Sequence, residues 1–165
     1  MSSVNSHNLR RLLVVLTVIA MSVLVRPGAV RASEISPEVS SIISDELVAN
    51  PGGVPEGNKI HYGDDLTFVA VEAGTLSLAQ CPSGSFCGWS QSNFSGSFYS
   101  TTGSAVTKTL SWTARSYANK RSQASRLYNS SASASTCFAP GRTRATIKST
   151  YYAPSKVYLS AVTSC

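Results

Sequence analysis

Acid–base and metal chemistry need histidine, carboxylate or thiol side chains within reach of one another, and this chain partitions them sharply. His61, Asp64 and Asp65 stand within five residues, together with Glu56 and Glu72 nearby, whereas residues 80–165 contain no His, Asp or Glu. Glycoside hydrolysis usually needs two carboxylates, and a serine or cysteine nucleophile normally needs a positioned base, most often histidine. The C-terminal half supplies neither. Its serines and lysines show no spacing that singles out a Ser-Lys pair. Three groups in a Gly-Asp-Asp turn lack a fourth metal ligand and are better read as a solvated turn. No glycine-rich phosphate loop is present. The expectation is a non-enzymatic protein without cofactor or metal.

All four cysteines, Cys81, Cys87, Cys137 and Cys165, lie in the half that lacks acids. Their gaps do not give the paired C-x2-C spacing of a four-thiolate zinc site. In an exported chain an even count reads as two disulfides with three pairings open. Adjacent pairing is favoured because "CPSGSFC" is a natural tight loop. On a chain-entropy model the two bridges would contribute ~2.4 and ~3.6 kcal/mol.

Export is expected from the N-terminus. Arg10 and Arg11 precede the fourteen-residue run "LLVVLTVIAMSVLV", and "VRA" offers small residues at Val30 and Ala32. This is the build of a secretory signal peptide over 1–32, cut after Ala32. The run falls short of the ~20 residues that span a bilayer. No membrane span is therefore expected after processing, and the mature protein is expected to be extracellular and monomeric.

Charge is segregated along the rest. Residues 33–79 carry eight acids against Lys59 alone, while 80–165 carry nine bases. The formal +6 includes four leader arginines, so it overstates the basicity of the mature chain. The split suggests that the acidic segment, a propeptide or an annex, docks on the basic module and masks it. Arg115, Lys120, Arg121 and Arg126 stand among Trp112, Tyr117 and Tyr128. Bases between aromatics suit backbone contact and stacking, so these four are a candidate patch for an anionic cell-wall polymer or glycan.

The elements that position these residues can be read from periodicity. "SPEVSSIISDELVAN" (36–50) predicts a helix capped by Ser36, with Pro37 and Glu38 in its first turn and an apolar stripe of Val39, Ile42, Ile43 and Leu47. "KIHY" and "LTFVAV" predict a hairpin around Gly-Asp-Asp. Beyond residue 76, "LSLAQ", "SFCGWSQ", "SFYST", "KTLSWT", "SRLYNS", "RATIKSTYY" and "KVYLSAV" read as short strands, with "SSASAST" a loop between two of them. That pattern predicts a small antiparallel sandwich.

"CPSGSFCGWSQSNFSGSFY", from Cys81, places Trp89, Phe94 and Gly96 at an aromatic-x4-aromatic-x-Gly interval. Five residues apart, the two rings would face opposite sides of a straight strand. "SQSN" and Gly96, which can take a positive φ, instead predict a folded hairpin that brings one ring onto the other. The spacing points to fold and core packing rather than chemistry.

This stretch resembles βγ-crystallin Greek-key motifs and the secreted bacterial proteins of peptidase inhibitor family 36, whose prototype is the streptomycete metalloproteinase inhibitor. "DELVANPGGVPEGNKIHYGDD" and "SRLYNSSASASTCFAPGR" are similar to flanking and second-half segments of such proteins. The resemblance implies an all-β, βγ-crystallin-like Greek-key sandwich over 80–165, stapled by two disulfides and preceded by the acidic helix-plus-hairpin segment 33–79. It implies a secreted inhibitor acting on an extracellular protease, a metalloproteinase above all, through a rigid substrate-like loop that the sequence does not identify. Cys81, Cys87, Trp89, Phe94, Gly96, Cys137 and Cys165 carry over as framework. The calcium box of crystallin motifs does not: "NKRSQAS" from Asn119 puts Lys120 where an acid would sit, and calcium wants oxygen ligands with carboxylates among them.

Overall fold

A computed structural model describes residues 35–165; the expected signal peptide, 1–32, lies outside them. The helix forms where expected, as α1 (Pro37–Ala49), with the Ser36 hydroxyl accepting from the Val39 amide at 3.3 Å. Its apolar stripe turns Val39 and Ile43 inward against Ile60, Phe68, Tyr99 and Trp112, and Ile42 and Leu47 pack alongside. Three strands follow: β1 (Val54–Glu56), β2 (Lys59–Tyr62) and β3 (Leu66–Val69). The hairpin around Gly63 was legible. The fully exposed β1, with Pro55 at its centre, was not, because an edge strand shows no burial alternation and tolerates proline.

Eight strands complete the chain: β4 (Phe86–Trp89), β5 (Phe98–Thr101), β6 (Val106–Thr109), β7 (Ser116–Asn119), β8 (Ser125–Tyr128), β9 (Ser135–Phe138), β10 (Thr143–Arg144) and β11 (Lys156–Leu159). They form two antiparallel sheets in the orders β1-β2-β3-β5-β4-β7-β10 and β6-β11-β8-β9. Strands β4–β7 and β8–β11 are two four-strand keys. In each, the third strand leaves its own key: β6 pairs with β11, and β10 pairs with β7. The keys are therefore interlocked, and neither completes a sheet without the other. Phe86 and Tyr117 from one sheet meet Leu127, Phe138, Val157 and Leu159 from the other, with Phe86 and Phe138 edge to face at 5.3 Å. This is the all-β sandwich that the sequence predicts.

The larger sheet is covered on both faces. Its second face buries Val69, Val71, Trp89, Phe98 and Ala118 around the Cys81–Cys87 bridge. Every residue of β4, β5 and β7 is buried as a result. Double burial explains why "SYAN" gives no strand signal, since the apolar–polar alternation of a half-buried strand is absent. Three other readings change. "LSLAQ" is not a strand; Leu78–Gln80 turn as a 3₁₀ helix, and Leu76 makes a single bridge to Ser95. "RATIKSTYY" contributes only Arg144 to the two-residue β10 before a 3₁₀ turn at Ser149–Tyr151, because Ile147 and Tyr151 drop into the core as isolated plugs. The loop reading of "SSASAST" holds for its first part only, as β9 starts at Ser135.

The acidic segment continues the first sheet rather than lying over the basic surface. Strand β3 pairs along all of β5, from Leu66 opposite Thr101 to Val69 opposite Phe98. It thereby covers what would be an open edge of the two-key sandwich. Among the described residues, Lys108 with Asp65 is the single ion pair between the nine bases and that segment. Backbone pairing and burial, rather than charge masking, hold the segment in place.

Candidate functional site

A cleft of about 390 Å³ runs between α1 and the first sheet, lined by Glu46, Asn50, Tyr99, Ser111 and Trp112 among others. Its acid is already engaged. The Glu46 carboxylate accepts from Tyr99 Oη, from Tyr62 Oη at 3.0 Å and from Asn50 Nδ2 at 2.9 Å. A carboxylate holding three donors is a structural clamp tying the helix to β2 and β5, not a free base. Burial first, and the Glu46 contact second, push the Tyr62 phenol from 10.0 up to about 12; Tyr99 rises for the same reasons, and Tyr117 through burial. A phenol whose folded pKa exceeds its unfolded value contributes stability below pH ~10 that is lost as pH climbs through the folded value. The melting temperature is thus expected to hold to about pH 10 and fall steeply above it. A Tyr62→Phe variant should fall less over pH 10–12, and identical pH profiles for the two proteins would refute the assignment.

The carboxylates and histidine near the turn are drawn apart. His61 Nδ1 meets Thr67 Oγ1 at 3.2 Å and its Nε2 lies 3.3 Å from Glu56, while Asp65 turns to Lys108. Among the described residues no three His, Cys, Asp or Glu side chains converge on a common point.

The aromatic-x4-aromatic-x-Gly hairpin folds as its spacing requires. Trp89 is fully buried and meets Phe94 at 5.3 Å, edge to face rather than stacked, with Phe98 at 5.3 Å on another side. Asn93 and Phe94 both adopt left-handed backbone, at φ 59° and 58°, and Gly96 follows at φ 73°. A Cβ on Gly96 would meet Ser90 Oγ at 2.7 Å, so glycine is required there on two counts. Cys81 bonds Cys87 and Cys137 bonds Cys165, the adjacent pairing.

The four basic residues do not form one patch. Arg121 is 3% exposed and its guanidinium points inward, donating to the carbonyls of Ala124, Gly103 and Ser160 and to Ser125 Oγ at 2.8–2.9 Å. Arg126 donates to Ser135 Oγ and to the Cys165 carbonyl. Arg115 stays exposed, 5.6 Å above the Tyr152 ring, and Lys120 is half-buried. Of the interleaved aromatics, Trp112 and Tyr117 belong to the core. A stacking platform therefore loses one base and two rings to the interior.

Two segments that carry exposed side chains are held by buried groups. In the β8–β9 connection, buried Asn129 supports residues 130–134 from within: its Nδ2 donates to Ser131 Oγ and Ser133 Oγ, and its Oδ1 accepts from the Ala134 amide. Ahead of the first disulfide, Leu76 bridges antiparallel to Ser95 of the folded hairpin, and at Ser77 the chain bends into the Leu78–Gln80 turn. The Gly96 amide donates to the Thr75 carbonyl at 3.1 Å, and the Ser77 amide donates to the Phe94 carbonyl at 2.9 Å. Fully buried Ser77 accepts from Trp89 Nε1 at 2.7 Å. Neither segment stood out in the sequence. Asn129 sits in a polar run, and the exposure of Leu76 depends on a hairpin packed beneath it.

No curated protein and no solved structure matches the chain. The framework of the first key does have a match: Trp89, Phe94, Gly96 and the Cys81–Cys87 bridge lie within residues 76–139, the stretch that matches the model of peptidase inhibitor family I36.

Proposed function

We propose that the protein is a secreted, non-enzymatic inhibitor of extracellular metalloproteinases that acts by presenting a rigid, substrate-like loop to the protease cleft. The observation that carries this reading is the inhibitor-family module on a framework whose exposed segments are pinned by buried side chains and two disulfides. A loop ordered before binding lowers the entropic cost of association and resists cleavage. Two disulfides suit an oxidising extracellular compartment. The pairing of β3 with β5 supports retention of the acidic segment in the active protein.

The alternative, a cell-surface module for anionic polymers, retains Arg115, Lys120 and Arg126 but has Arg121, Trp112 and Tyr117 in its interior. Salt separates the two. Binding through many phosphates weakens steeply with ionic strength, whereas a fitted loop changes little. The test is titration of the purified protein against a thermolysin-like metalloproteinase, with subtilisin alongside. Stoichiometric inhibition of the metalloproteinase at ~1 µM or tighter, little altered between ~50 and ~200 mM salt, is expected. Failure to inhibit either protease would reject the reading.

A further inference from the structure

A loop that enters a protease cleft needs two things: free main-chain hydrogen-bonding groups on an extended strand, and a side chain able to fill a specificity pocket. The 130–134 loop is well held but carries only serine and alanine. Among the described residues, five large hydrophobic side chains are exposed: Ile35, Val48, Val54, Leu76 and Val162. Leu76, 72% exposed, is the one that falls inside the inhibitor-family module.

Its backbone setting is as telling as its exposure. The flanking bonds, Gly96 to Thr75 and Ser77 to Phe94, make Leu76 and Ser95 a non-hydrogen-bonded antiparallel pair. In such a pair the residue's own N–H and C=O point away from the partner strand. Neither group of Leu76 is hydrogen-bonded among the described residues. The segment thus offers an outward-facing edge centred on a leucine.

Support comes from both sides. Upstream, a turn closes with the Thr75 amide donating to the Glu72 carbonyl, Gly74 at φ 77°, and the Ala73 amide donating to Glu38 Oε1 at 2.8 Å. Downstream, Ser77 is clamped by Trp89, and Cys81 begins the disulfide loop. The acidic annex and the module thus grip this segment from opposite ends.

We propose that Thr75–Ser77 is the segment this inhibitor presents to the active-site cleft of its target, with the free N–H and C=O of Leu76 pairing with the cleft and its side chain filling a hydrophobic specificity pocket; this rests on the inhibitor reading above. The occupant is an endopeptidase that binds substrates as an extended strand and selects a medium-sized apolar side chain.

The test compares wild type, Leu76→Asp, Leu76→Met and Val162→Asp against the same metalloproteinase, and follows each chain for cleavage. Leu76→Asp should weaken inhibition about a hundredfold or more, because it places a charge in an apolar pocket. Leu76→Met should stay within about fivefold, and Val162→Asp, at another exposed apolar site, should match wild type. Both residues are well exposed, so melting temperatures should agree within about 2 °C. An unchanged inhibition constant for Leu76→Asp, with wild type inhibiting, would overturn this assignment and leave the inhibitor reading in place. Rapid cutting at the Thr75–Leu76 bond with full recovery of protease activity would also overturn it, marking the segment as a processing site. A wild type that inhibits nothing would remove both readings together.

Discussion

Replacing Arg121 with methionine is expected to lower the stability of the protein by about 3–5 kcal/mol. The guanidinium is buried, and no carboxylate faces it among the described residues. Its charge is instead distributed over three carbonyl oxygens and one hydroxyl. Gly103 lies between β5 and β6, Ala124 precedes β8, and Ser160 follows β11. One side chain therefore ties together its own β7–β8 connection, the β5–β6 connection and the segment after β11. Burial lowers its pKa from the ordinary arginine range, but a guanidinium stays protonated through the physiological range. Methionine keeps much of the apolar stem and leaves those acceptors without donors, each worth about 1–3 kcal/mol when buried and unpaired.

Lysine in place of Arg121 keeps the charge yet cannot serve four acceptors from a planar fork, so it should fall between the two. The check is denaturant unfolding of Arg121→Met with an unchanged m-value, or a melting temperature lowered by more than about 10 °C. A cost under about 1 kcal/mol would show that Arg121 is not a cross-link between the keys. Asn119 works beside it, its amide donating to the Gln123, Phe138 and Ala139 carbonyls. The segment that resembles a calcium box is thus filled from within by protein hydrogen bonds.

Trp89→Ala is the second large effect, with an expected loss of about 3–5 kcal/mol, the usual range for removing a buried large aromatic side chain. The indole is fully buried between Phe94 and Phe98 and next to the Cys81–Cys87 bridge. The neighbouring backbone cannot easily collapse into the void, because the left-handed turn at Asn93–Phe94 is held by the Phe94 amide donating to Ser116 Oγ at 3.0 Å. Against a typical total of about 5–15 kcal/mol, such a loss leaves a marginal domain. Trp89→Phe gives a finer measurement. It keeps most of the packing but removes the indole N–H that holds Ser77, so it should cost about 1–2 kcal/mol. Equal stabilities for Trp89→Phe and wild type would mean that the Ser77 contact contributes nothing to the fold.

Local signals in the sequence were read correctly where one element suffices to explain them. Ser36, Pro37 and the Val39–Leu47 stripe specify α1, and the Gly63 turn specifies the β2–β3 hairpin. Trp89, Phe94 and Gly96 specify the folded hairpin, and the short "CPSGSFC" loop points to its own disulfide. Signals failed where burial comes from both sides or from nowhere nearby. Strand β7 lost its alternation between two packed layers, β10 is only two residues long, and the Leu76 segment looked like a strand although a single bridge holds it.

Composition, cysteine spacing and one aromatic motif thus pointed to an all-β, disulfide-stapled module. Two matters required the tertiary structure. The exchange of β6 and β10 between keys depends on pairings between strands more than 20 residues apart and leaves no mark on local periodicity. The role of Arg121 depends on acceptors at positions 103, 124, 125 and 160. In sequence it stands in a basic run and reads as surface charge. Only the folded chain brings those oxygens to one point, and a ring of carbonyl and hydroxyl acceptors stabilises there a cation that would otherwise remain in water.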